Sequence, residues 1–332
     1  MKIALLGPIA WRTPPRHYGP WELITSLLAE GLTRRGVDVT LFATLDSVTE
    51  ATLDGVVPTG YEESDEIDGR VWEAIHVSHA LERSGEFDLI HNHLDWLPLA
   101  FSAHSRAPMI TTVHGFSGRN ILPAYQRARS HFVSISDSDR SPDLDYLGTV
   151  YHGVDLAGLP FHAGGEDLIL FGRIHPDKGT DIAIEIARRA GRRLVMCGIV
   201  QDRAYFADHV EPFIDDRHVV YLGSVGPEER DTILGSGAAL LHPIRFAEPF
   251  GLSVVESMIC GTPVIAYRKG SMPEVVDEGV TGLLVDSVDE AVTAVERIGE
   301  VDREACSAHA RRRFSAERMV DEYLSIYRKI VS

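Results

Sequence analysis

HPIRFAEPFGLSVVESMICGTPVIAY, residues 242–267, carries two glutamates eight positions apart, Glu248 and Glu256. The apolar run 238–241 before it predicts a buried strand ending at His242-Pro243. Gly251 marks the following turn, 253–260 predicts a helix, and 263–267 predicts the next strand. Both carboxylates therefore fall at the mouth of one strand-loop-helix unit. In an open α/β sheet this mouth is where ligands bind, and the helix N-terminus offers unpaired N–H groups to an anion. Carboxylates beside an anion site make sense when the ligand also carries hydroxyls, and a nucleotide sugar has both.

Outward from this stretch, strands and helices alternate along the whole chain. Ile3–Leu6 predicts the first strand, Trp21–Arg35 a helix closed by Gly36, and 37–42 the second strand. Further strands are expected at 87–92, 108–113 and 131–135. After the Gly- and Pro-rich stretch LAGLPFHAGGEDL they resume at 168–171, 193–197, 219–222, 238–242, 263–267 and 283–285. This alternation predicts two doubly wound, Rossmann-like α/β domains with parallel sheets. The expected division is 1–155 and 156–315, with a final helix over 316–332 and the hinge in the Gly/Pro-rich stretch. G-x-G-x-x-G is absent after the first strand, which argues against a dinucleotide cofactor there.

The E-x7-E spacing enclosing Pro-Phe-Gly-Leu, the following Gly261-Thr262-Pro263-Val264, and Gly270-Ser271-Met272-Pro273-Glu274 resemble the retaining glycosyltransferases of family 4. LILFGRIHPDKGTDIAIE, residues 168–185, resembles that family's strand and G-R-x-x-x-x-K-G loop. VYHGVD, residues 150–155, resembles its N-G-V-D, with His152 replacing Asn, and the tail RRRFSAERMVDEYLSIYRKI also fits. Length and the YGPWE loop are further similar to actinobacterial antibiotic-pathway members of the avilamycin type.

The resemblance implies a GT-B arrangement, two such domains facing across a cleft, with the last helix crossing back to the first. It implies transfer of a sugar, with retention, from a nucleotide-diphosphate donor (a UDP- or GDP-sugar) to a hydroxyl of a small-molecule or oligosaccharide acceptor. The acceptor belongs to the first domain and the donor to the second, in antibiotic or glycan biosynthesis. Arg173 after Gly172, and Lys178 before Gly179, suit a diphosphate whose charge grows as the sugar bond breaks. Glu256 matches the ribose-binding carboxylate and Glu248 the one that meets the transferred sugar. The backbone N–H groups of Phe250, Gly251 and Leu252 reach sugar or phosphate, and Gly223-Ser224-Val225 is a base contact. His114, ending MITTVH before Gly115-Phe116, places its carbonyl near the anomeric carbon and its ring near the sugar 6-position. In Tyr18-Gly19-Pro20-Trp21-Glu22, which corresponds to the family's G-G-x-E loop, Pro20 removes an N–H donor, leaving Gly19. No cofactor or metal is required.

Three other readings compete. A nucleotide-sugar 2-epimerase shares the architecture, and a non-catalytic sugar-nucleotide sensor shares the binding site. His91-Asn92-His93-Leu94-Asp95 has the H-x-H-x-D spacing of metal-dependent hydrolases, although Trp96 stands where their next His is expected. The bulk properties narrow the partners. A net charge of −17 over 332 residues disfavours nucleic acid and anionic membranes. No apolar run approaches the ~20 residues that span a bilayer, so membrane insertion is not expected. The start, MKIALLGPIAWR, reads as a buried strand and not as a leader. Three cysteines without metal spacing suit a reducing, cytoplasmic setting.

Overall fold

The computed structural model describes residues 1–17, 19–115 and 118–331, with Pro227 and Glu228 as backbone only. The chain forms two compact units, one of Met1–Gly153 with Ala316–Ser332, the other of Val154–Ser315.

The first unit contains β1 (Lys2–Leu6), α1 (Pro20–Arg34), β2 (Asp38–Phe42), β3 (Thr52–Asp54), α2 (Gly69–Glu82), β4 (Leu89–Asn92), α3 (Leu97–Phe101), β5 (Met109–Val113), α4 (Leu122–Arg127), β6 (His131–Ser134) and β7 (Tyr146–Thr149). Its parallel sheet has the order β3-β2-β1-β4-β5-β6-β7, with Ile3 beside Val39 on one side and Leu89 on the other. The strand order reverses between β1 and β4. Strands covered on both faces read as continuous apolar runs, which is how β1, β2 and β4–β6 are legible. β3 and β7 escape the sequence reading because they are short edge strands, TLD and YLGT, with only half-buried or exposed side chains.

The second unit contains β8 (Asp167–Phe171), α5 (Thr180–Arg189), β9 (Leu194–Cys197), α6 (Arg203–His209), β10 (Val219–Tyr221), α7 (Pro227–Gly235), β11 (Gly237–His242), α8 (Leu252–Ile259), β12 (Val264–Tyr267), α9 (Met272–Val275), β13 (Gly282–Val285), α10 (Val288–Arg297) and α11 (Arg303–Phe314). Its sheet is again parallel, in the order β10-β9-β8-β11-β12-β13, and reverses between β8 and β11. The Gly/Pro-rich stretch after Asp155 packs within this unit. Leu159 is buried, the His162 amide donates to the Cys260 carbonyl, and the His162 ring meets Asp231.

α12 (Ala316–Val331) completes the first unit. Met319, Tyr323 and Tyr327 recur every four residues beside Val320 and Leu324, so one helical stripe is buried. It lies against α1, where Gly31 leaves room for Val320: a Cβ there would come within 2.4 Å of the valine side chain. Buried phenols need hydrogen-bond partners. Tyr323 finds Thr112 at 2.7 Å and Tyr327 finds His91 at 2.5 Å.

Candidate functional site

The carboxyl ends of β8 and β11 meet where the second sheet reverses direction, the position at which doubly wound sheets bind ligands. Two loops leave from there, one carrying Gly172, Arg173 and Lys178, the other His242 and Glu248 before α8. The topology thus gathers residues about 70 positions apart.

Lys178 lies in a short turn, Pro176–Lys178, just before α5. Its ammonium donates to Glu248 and sits 4.9 Å from the Phe246 ring centroid. Glu248 is 9% exposed, and His242 Nε2 lies 3.4 Å from its carboxylate. Burial alone would raise the Glu248 pKa. His242 and the Lys178 charge outweigh it and hold the value down to about 2. His242 itself, buried at the strand end, is pushed below its ordinary value by desolvation.

Glu256, on α8, is also buried, and accepts a 2.7 Å hydrogen bond from Arg230 of α7. Burial raises its pKa in spite of that partner. Arg173 is half-exposed and donates to the Gln201 side chain. Lys178 and Arg230 therefore each face a carboxylate, whereas Arg173 has a neutral partner.

Gly251 caps α8 at φ 90°, a conformation glycine adopts without strain. Helical bonding starts with the Val254 and Val255 amides, both donating to the Gly251 carbonyl. Among the described residues the Gly251, Leu252 and Ser253 amides have no acceptor. Ser271 braces the loop from behind, its amide donating to the Glu248 carbonyl and its hydroxyl to that of Phe250. The Gly223-Ser224-Val225 loop follows β10, and the Gly223 carbonyl accepts the Gly198 amide, lacing the β9 and β10 ends at the same edge.

In the first unit, Gly19 caps α1 against Pro15 and Glu22. Glu22 is buried and accepts from the Trp11 amide, and desolvation lifts its pKa to about 7. His114 directly follows β5, with its ring stacked on Trp21, centroids 5.2 Å apart. Tyr18 and Phe116 lie outside the described residues.

The expected role for the His114 ring needs correction. Its Nε2 is 2.9 Å from His93 Nδ1 and its Nδ1 is 3.3 Å from His152 Nε2, so both nitrogens are committed inside the unit. That leaves the ring no nitrogen for a sugar hydroxyl. The H-x-H-x-D stretch is likewise divided. His91 and His93 join this imidazole chain, whereas Asp95 accepts from the Tyr125 hydroxyl. Among the described residues, no three His, Cys, Asp or Glu side chains are grouped to hold a metal ion.

Sequence reasoning missed Arg230, His242, Gln201 and Ser271. His242 was legible as the polar end of an apolar strand. Arg230, in the charged segment PEERDTIL, reads as a solvated face.

Two doubly wound parallel sheets, the second carrying this site at its switch point, define a glycosyltransferase of the GT-B fold. Residues 22–142 match Glycosyltransferase Family 4 and residues 158–314 match Glycosyl transferases group 1. The chain belongs to the family 4 glycosyltransferases and is a transferase. A D-inositol 3-phosphate glycosyltransferase of Saccharomonospora viridis is 30% identical over 317 residues, covering 76% of this chain and 72% of that protein. An uncharacterized 41.2 kDa protein of the Klebsiella pneumoniae cps region is 31% identical over 169 residues, so the match spans about half of each chain, 49% of this one and 46% of that one. Among solved structures, AviGT4, a glycosyltransferase involved in avilamycin A biosynthesis, superposes with a TM-score of 0.76. It shares 25% sequence identity, over 100% of this chain and 98% of that one. Among the described residues no helix is long and apolar enough to cross a membrane.

Proposed function

We propose that the chain moves a sugar from a nucleotide-diphosphate donor, a UDP- or GDP-sugar, to a hydroxyl of a small-molecule or oligosaccharide acceptor, with retention of anomeric configuration. The observation that carries this reading is the set of ion pairs and unpaired amides around residues 242–256. A diphosphate draws the Lys178 ammonium from Glu248, and the freed carboxylate accepts sugar hydroxyls. Arg173 and the Gly251 and Leu252 amides take the remaining anionic oxygens. Glu256 accepts from the ribose hydroxyls while Arg230 holds its charge, and Gly223-Ser224-Val225 borders the base.

Two charges develop together, a negative leaving diphosphate and a positive, oxocarbenium-like sugar. Groups already in place cost no reorganisation when they form, and one such donor is worth roughly 3–4 kcal/mol in the transition state. Arg173, Lys178 and the amides stabilise the first charge. The departing phosphate takes the acceptor proton on the same face. Gly19 and its loop belong to the acceptor side, in the first unit. A cytoplasmic setting and an antibiotic or glycan pathway fit the acidic surface and the AviGT4 likeness.

A thermal-shift panel of UDP-, GDP-, ADP- and dTDP-sugars identifies the donor, and proton NMR of the product reads the anomeric configuration. A shift with one donor and a retained anomer are expected, with the rate unchanged by chelator. An inverted anomer, or no shift with any member, overturns the reading.

A further inference from the structure

The turn that carries Lys178 takes its position from outside itself. Its own bonds are local: the Lys178 amide donates to the His175 carbonyl and the Gly179 amide to the Pro176 carbonyl, both at 3.0 Å. Three residues of turn do not aim an ammonium on a flexible four-carbon stem.

Arg245, three residues before Glu248, supplies the missing constraint. Its amide donates to the Asp177 carbonyl at 2.7 Å, and its Nη1 to the Pro176 carbonyl at 2.8 Å. Nη1 and Nη2 also fork onto the carboxylate of Asp181, in the first turn of α5, at 2.8 and 2.6 Å. Asp181 is fixed in its turn by Tyr205 of α6, whose hydroxyl donates to the carboxylate at 2.6 Å and accepts the Asp181 amide at 2.9 Å. Burial would raise the Asp181 pKa, but the hydrogen bonds from Arg245 and Tyr205 outweigh it and lower the value. One residue thus ties the chain on both sides of Lys178 to the loop that bears Glu248. The two backbones touch as well, since a Cβ on Gly179 would overlap the Pro243 carbonyl oxygen.

Stability does not account for this arrangement. The Arg245 side chain is 40% exposed and that of Asp181 30%, and exposed ion pairs add little to folding. What a planar guanidinium adds is direction, because it holds a carboxylate and a carbonyl at fixed angles where an ammonium does not. We propose that Arg245 is a positioning residue for sugar transfer: it locks the Pro176–Lys178 turn against the Glu248 loop and so keeps the Lys178 ammonium where the donor diphosphate arrives. The effect on turnover rests on the reading that Lys178 takes the diphosphate. Arg245 touches no substrate and acts through Lys178.

The test uses the full chain and the donor selected by thermal shift, with turnover read as release of nucleoside diphosphate. In Arg245→Gln kcat should fall about 100-fold, the order that a ~1 Å misplacement costs. Arg245→Lys restores the charge without the fork, and should stay at least ~10-fold below the parent. Asp181→Asn leaves every cation in place and should lower kcat about tenfold. In a Lys178→Met background, Arg245→Gln should cost less than about twofold more, since the residue it acts through is gone. A readout independent of turnover is 13C NMR of the glutamate-labelled chain, with the Glu248 carboxyl assigned through Glu248→Gln. At pH 4.5, the ordinary glutamate pKa, that carboxyl should be ionised in the parent and partly protonated in Arg245→Gln, as Lys178 drifts from it. Parent-like turnover in Arg245→Lys, an undiminished loss in the Lys178→Met background, or a fully ionised Glu248 in folded Arg245→Gln overturns the proposal. If Lys178→Met turns over like the parent while Glu248 responds to Arg245→Gln, the positioning stands and the fault lies in assigning the diphosphate to Lys178.

Discussion

Replacing Lys178 with Met removes a charge but keeps most of the stem that lies against Phe246. Glu248 is then left with a side chain only 11% exposed and His242 at 3.4 Å as its remaining charged or polar neighbour among those described. Two routes give the cost. The Glu248 pKa falls from an ordinary 4.5 to about 2 in the folded chain, which corresponds to about 3 kcal/mol of stability at neutral pH. Breaking a buried pair by deleting one partner typically costs ~3–5 kcal/mol, because a charge remains without compensation. His242 retains part of the effect, so the expected loss for Lys178→Met is ~2–4 kcal/mol at pH 7. The sign follows from the depressed pKa. In the parent the contribution is complete above pH 4.5 and disappears as pH falls toward 2, whereas in the variant this acid-side loss flattens.

All four tryptophans, at 11, 21, 72 and 96, belong to the first unit. Tryptophan fluorescence therefore reports that unit, and far-UV circular dichroism reports both. The variant should lower the urea midpoint of the transition seen by dichroism but silent in fluorescence, at unchanged slope. The double variant Lys178→Met/Glu248→Gln should recover most of the loss, since it leaves no buried charge. An unaltered midpoint for Lys178→Met, with the parent's pH dependence, would refute the pairing.

Arg173→Ala should lower kcat about 10²–10³-fold, as expected for one preorganised donor. Since the side chain is half-exposed, the variant's unfolding free energy from urea titration should stay within ~0.5 kcal/mol of the parent's. Turnover within a few-fold of the parent would remove Arg173 from the leaving-group role. Arg230→Met leaves Glu256 buried without its cation, so its pKa rises further and the carboxyl becomes a poorer acceptor for ribose. Donor KM should increase about 10–100-fold, the worth of hydrogen bonds to a charged group, and titration calorimetry with the donor nucleotide checks it. Gly270→Ala places a Cβ 2.3 Å from the Glu248 amide nitrogen and 2.4 Å from its carbonyl, at φ 56°. The Glu248 loop must move, so activity should be lost together with several degrees of melting temperature, and a parent-like melt would show that the loop yields.

What the chain discloses before folding is set by the range of each interaction. Apolar strands, glycine turns and the helix after Gly251 are encoded within a dozen residues, so the two sheets and the position of Glu248 and Glu256 were legible. Edge strands β3 and β7 carry little burial and leave no such trace. The partners of the site residues are non-local: Arg230 meets Glu256 across 26 positions, Lys178 meets Glu248 across 70, and Tyr327 meets His91 across 236. No periodicity connects them. His114 shows the consequence, since its strand end was legible whereas the histidines that occupy both of its nitrogens were not.

The pairing also changes what the site asks of a ligand. On the reading proposed here, a bare pyrophosphate that captured Lys178 would leave the Glu248 carboxylate buried beside His242 alone, at the cost worked out above for Lys178→Met. A ligand that brings hydroxyls with its phosphates fills both vacated positions in one step. Internal charge compensation thus selects for the complete nucleotide sugar over its fragments, because each half of the donor offsets the penalty created by the other. Positive groups left open to solvent would bind any polyphosphate. Lys178, already held by Glu248, leaves that carboxylate at least cost to a ligand whose hydroxyls take its place.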